Sequence, residues 1–143
     1  MKLEKIFRDL EALMRDTLQI LDHMIVDGEK DHLQMQIHQS LVRQCEMVGN
    51  FADRNKSLLD SISKELTFIE DNVRQLEQIL YHDFQDVTNQ QMEQFQQMAI
   101  EEQKEQTEAY HVKIDYLSAL KVRENVERMK EMVNHLQFDN FFS

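Results

Sequence analysis

Apolar residues recur at alternating steps of three and four along nearly the whole chain, the spacing expected of helices that bury one face. In the opening stretch Leu3, Ile6, Leu10, Leu13, Ile20 and Met24 mark the stripe, with Phe7, Met14 and Leu21 one step further round. Three apolar positions per seven give a stripe wide enough to meet more than one neighbour, so residues 2–27 are predicted to form a bundle helix. Asp27-Gly28 supplies the turn, because Gly accepts the left-handed backbone that follows a helix and Asp27 or Asp31 is placed to cap the next one.

The second stretch keeps its phase from His38 through Leu41, Cys45, Val48, Ala52, Asn55, Leu59, Ile62, Leu66, Ile69, Val73 and Leu76 to Leu80. A single helix over 30–82 is predicted. Gly49-Asn50 costs it about 1 kcal/mol relative to Ala, but the stripe continues in phase on the far side. Asn55 falls on a core position of that stripe, where a polar side chain would set register by requiring a partner. Phase is lost from Tyr81 to Gln91, where Thr88 and Gln91 have the spacing of a capping box, and the hairpin turn is expected between Asp83 and Asn89.

The third helix is predicted over 89–137. It starts with Met92, Phe95 and Ala99, crosses a polar run from Glu101 to Glu108, and resumes at Ala109, Val112, Tyr116 and Leu120. It ends on the seam Ala119, Val122, Val126, Met129, Val133 and Leu136. Two long helices joined by a short connection bury both seams most cheaply by folding back on each other. The expected fold is all-α and a single domain over 1–143. It is an elongated, coiled-coil-like antiparallel helical hairpin, with the shorter N-terminal helix making a three-helix bundle at one end.

Composition supports helix: there is no Pro and only two Gly. Sixteen basic against 27 acidic side chains leave a formal charge of −11, which repels a phosphate backbone and disfavours nucleic acid and anionic membranes as partners. No apolar run is long enough for a membrane span, and the mixed charge of Met1-Lys2-Leu3-Glu4-Lys5 does not read as a secretory leader. With Cys45 as the single cysteine, no internal disulfide is possible, and a reducing cytoplasm is the expected compartment.

Candidate chemistry is sparse. Two E-x-x-H motifs, Glu29/His32 and Glu108/His111, have the spacing used by carboxylate-bridged metal sites in helical bundles, but neither sits on an apolar seam. His38 lies on the seam of the second stretch and reads as a partly buried core position. Cys45 occupies a seam position where a thiol is inert, and Ser57, Ser61 and Ser63 lie within a helix without the sharp turn that presents a nucleophile. No cofactor, metal or catalytic residue is expected, and the chain reads as a non-enzyme.

The more informative signal is apolar surface left over. Phe138, Phe141 and Phe142 form an aromatic tail over 138–143, beyond the last expected helical turn. With Met129, Met132, Val133 and Leu136 they make a candidate partner-binding surface. The expected function is that of a scaffold or adaptor subunit that lends its seam to partner helices in a homo- or hetero-oligomer. A metal-binding helical bundle is an alternative. A second comes from resemblance: the run from Leu18 to Leu59, with Leu21, Asp31, Leu33, Leu41, Phe51, Arg54, Leu58 and Leu59, resembles the leading half of flagellar export chaperones of the FlgN type. That resemblance implies a small acidic helical protein holding an export substrate in the cytoplasm.

Overall fold

The computed structural model describes residues 2–50, 54–94 and 101–142, with side chains described within 3–50, 54–89 and 111–138. These residues form four helices, α1 (Lys2–His23), α2 (Gly28–Gly49), α3 (Lys56–Gln94) and α4 (Glu101–Phe142), and include no strand. The all-α expectation holds, but the helices number four.

The helix expected over 30–82 is interrupted after Gly49. The N–H of Asn50 closes α2 on the carbonyls of Glu46 and Met47, at 3.2 and 3.3 Å. The Asn55 carboxamide then opens α3 by accepting the N–H of Leu58 at 2.9 Å, an N-cap that contributes about 1 kcal/mol. Asn55 is exposed, so it marks a helix start and does not set register in the core. Arg54 secures the corner: its Nε donates to the Val48 carbonyl at 3.1 Å and its guanidinium lies 4.6 Å from the centre of the Phe7 ring.

That break makes room for a fourth helix in the bundle. α1 packs against α2 and α4, and α3 packs against the same two, so the helices close into a ring. Neighbours run antiparallel. Along α3 and α4, Asp60 meets Gln137 at 2.9 Å, Glu70 meets Lys130 at 3.0 Å and Glu77 meets Arg123 at 2.8 Å. Between α1 and α4, Thr17 meets Asn125 at 3.1 Å and the Ile25 N–H meets Asp115 at 3.4 Å. Where three helices were expected to pack together, four do.

The connection from α1 to α2 follows from its residues. Gly28 adopts φ +58°, which an L side chain resists, and Asp27 stands in extended backbone before it. Gln34 reaches back from α2 to the carbonyls of Leu21 and Met24, joining the Met24 N–H, which donates to the Leu21 carbonyl at 3.2 Å, in closing the end of α1.

Each helix buries a stripe set by the ring. In α1 the stripe runs Phe7, Leu10, Met14, Thr17, Leu21 and Met24, centred one step round from the Leu3-Ile6-Leu13 line. α2 lies between two neighbours and buries Leu33, Ile37, Ser40 and Gln44 as well as Leu41, Cys45 and Val48. In α3 the expected positions from Leu59 to Leu80 are buried, and in α4 those from Ala119 to Leu136.

The turn expected between Asp83 and Asn89 is absent, because α3 continues to Gln94. The Thr88 hydroxyl donates to the Phe84 carbonyl at 2.8 Å, an interior back-bond in place of a cap. Phe84 stacks on Tyr116 with centroids 5.7 Å apart. At the other end α4 includes residues 138–142, so the expected tail is helical up to Phe142. The side chains of Phe141 and Phe142 lie outside the described residues.

Candidate functional site

The core of the C-terminal surface proposed from sequence is used inside the molecule. Met129, Val133 and Leu136 are fully buried among the four helices and cannot also receive a partner, because the ring closes over the seam that a hairpin would have left open. Met132 and Phe138 remain. Met132 is partly buried and lines an open groove of about 270 Å³ between α1 and α4, with Ile6, Asp9, Arg128, Glu131 and His135. Phe138 is 61% exposed.

A larger opening lies along the outer face of α2, with Asp22 of α1 at one end. One part, about 310 Å³, is lined by Asp22, Asp31, Gln34, Met35, His38 and Gln39. A second, about 440 Å³, shares His38 and Gln39 and adds Val42 and Arg43. The shared residues make them one trough. Asp31, Met35, His38 and Val42 fall at i, i+4, i+7 and i+11, a second stripe on α2 beside the one it gives to the core. His38, expected as a partly buried core position, is partly buried at the edge of this trough, with Nε2 2.9 Å from Asp22 across the helix pair.

The trough was missed from sequence because its apolar members, Met35 and Val42, lie off the seam that runs through His38, Leu41, Cys45 and Val48. The signal was the 4-3-4 spacing from Asp31 to Val42, readable only once α2 is known to end at Gly49. Met35 is 50% exposed and Ile25, in the connection before α2, is 75% exposed.

The E-x-x-H motifs can be followed only in part. Glu29 and His32 are exposed on the first turns of α2, His111 is exposed on α4, and the Glu108 side chain lies outside the described residues. Among the described residues no three His, Cys, Asp or Glu side chains are grouped to hold a metal ion. Cys45 is buried, with its Sγ 3.9 Å from the Glu11 carbonyl.

One titratable group departs from its ordinary behaviour in the interior. Asp115 occupies the position that extends the Ala119–Leu136 seam by one step, and burial pushes its carboxyl above the usual aspartate range. The Ile25 N–H, and more weakly His111 and Lys30, pull it the other way. Lys30 is also engaged with Asp83 at 2.7 Å. Protonation relieves the cost of burial, so the carboxyl favours folding most below its unfolded pKa, and that contribution is lost as pH rises through the raised folded value. Asp115→Asn keeps an oxygen for the Ile25 N–H and removes the charge. It should therefore raise the unfolding free energy at pH 7, and urea titrations at successively lower pH should show the gain shrinking.

No family model, curated protein or solved structure matches the chain. Of the residues that carry the FlgN-type resemblance, Leu21, Leu33, Leu41, Leu58 and Leu59 are buried in the core. Packing of the bundle is sufficient to account for their spacing.

Proposed function

We propose that the chain is a non-enzymatic helical interaction protein, a scaffold or adaptor subunit that receives partner helices on the outer faces of its bundle. The supporting observation is the open trough along α2, lined by Met35, a large apolar side chain that is 50% exposed. The seam itself is spent on the internal core, so partner contact falls on this second stripe. The long α3–α4 pair serves as the elongated arm: Asp83 of α3 meets Lys30 at the start of α2, and residues 84–94 of α3 run on past it. Among the described residues no helix is long and apolar enough to cross a membrane. The reading assigns the chain to the cytoplasm, where a lone thiol persists.

The FlgN-type resemblance gives this reading one concrete form, a chaperone holding the helix of an export substrate. An open stripe along a helix, with apolar residues at Met35 and Val42, suits such a ligand. Affinity purification with mass spectrometry, paired with light scattering of the eluted complex, is the test. A stoichiometric protein partner is expected, and a filament-cap or hook-associated protein would favour the chaperone form. A monodisperse monomer that retains nothing at high concentration would overturn the interaction reading.

A further inference from the structure

We infer that the α1–α2 trough docks a basic amphipathic helix, lying along the line from Asp31 to Val42 with its cationic residues over Asp22 and Asp31. The inference rests on the interaction reading above and names the class of partner that reading leaves open.

Shape comes first. Eleven residues of helix separate Asp31 from Val42, or about 17 Å, room for three turns of a docked helix. Met35 and Val42 are one heptad apart with His38 between them, so they meet apolar side chains spaced three and four on an incoming helix. An extended peptide has period two and would match this stripe poorly.

Charge then selects the occupant. Asp22 and Asp31 line one end, with His38 2.9 Å from Asp22, and Asp27 and Glu29 stand exposed in the adjoining residues. Lys30, the cation nearest in sequence, reaches Asp83 of α3 at 2.7 Å and lies 3.9 Å from Asp27. Arg43 lines the opposite end. A helix with Lys or Arg in its first turns and Glu or Asp in its last therefore fits in one direction, parallel to α2, with the positive end of its dipole toward Asp22 and Asp31. A second copy of this chain is disfavoured, because each copy carries a formal charge of −11. The α1–α4 groove offers no such polarity, since Asp9 and Glu131 share it with Arg128 and His135.

The probe is a labelled 15-residue helical peptide with Leu at 3-4 spacing, Lys in its first half and Glu in its last turn, followed by fluorescence anisotropy on the full chain. Two control peptides accompany it: one with the Lys residues replaced by Glu, the other with the same composition and its Leu positions scrambled. The basic helix is expected to bind at least tenfold tighter than either control, and more weakly as salt is added. Asp31→Lys and Met35→Asp should each weaken it at least tenfold, while Glu131→Lys in the other groove leaves it unchanged. Circular dichroism melts confirm that the variants fold. Equal binding of the three peptides, no binding, or binding that ignores Asp31→Lys and Met35→Asp would overturn the inference. Copurification of a partner that persists in those two variants would overturn it while leaving the interaction reading standing.

Discussion

Leu66→Ala is expected to lower the unfolding free energy by about 3 kcal/mol, and Phe68→Ala, two residues along the same helix, by less than about 0.5 kcal/mol. Leu66 is fully buried in α3, whereas Phe68 is 47% exposed on the opposite side of the helix. Truncating Leu66 removes apolar area from the core and leaves a cavity that four packed helices can only partly close. Domains of this size hold about 5–15 kcal/mol in all, so the loss is a large share of the whole. Urea denaturation of both variants measures the contrast, with a melting temperature lower by about 10 °C for Leu66→Ala. Comparable losses at both sites would mean that the Phe68 face is covered in solution and that the ring of four is not the whole assembly.

Thr17→Val should cost about 2 kcal/mol, and adding Asn125→Leu to it should recover most of that loss. The Thr17 hydroxyl donates to the Leu13 carbonyl at 2.7 Å and accepts the Asn125 amide at 3.1 Å, with both side chains buried between α1 and α4. Removing the hydroxyl alone leaves the amide donor in the interior without this acceptor. Replacing both groups with apolar ones removes the mismatch. The pair holds α1 in one register against α4, since a slip of one turn would set the amide against side chains that cannot accept its hydrogen. A double-mutant cycle measures the coupling; simple additivity of the two substitutions would show that the amide is satisfied elsewhere and that register is held by shape alone.

The sequence carried the helices and most of the core, because steps of three and four leave little choice of buried face. Leu59 to Leu80 and Ala119 to Leu136 were legible for that reason. The interruption at Gly49 was not, because Ala52 and Asn55 happen to continue the phase across it. The residue types gave contrary signals there: a Gly-Asn pair, then an Asn three residues ahead of Leu58, which is a helix stop followed by a helix start. Periodicity outweighed punctuation, and the reading lost a helix.

Other departures follow from that one. Treated as three helices, the molecule had surplus seam, and Met129, Val133 and Leu136 looked available to a partner. With a fourth helix they are interior. The missed turn near Asp83 has a cause of its own: the apolar spacing lapses from Tyr81 to Gln91 although the helix continues to Gln94. Thr17 and Asp115 were missed because each is a polar residue on a core position, which spacing alone cannot distinguish from a gap in the stripe. His38 and Met35 became informative only after α2 had been separated from α3, when the spacing from Asp31 to Val42 emerged as a stripe of its own.

Closing the ring between the first helix and the last has a consequence for how the chain comes off the ribosome. Thr17 is made 108 residues before Asn125, an interval of roughly 10 s at ordinary rates of synthesis. Throughout that wait α1 can lean on α2 alone, with its second greasy flank open to whatever the nascent chain meets. Docking of α4 ends that exposure, so the hazard of premature association falls in the period of translation and recedes once the final helix has emerged.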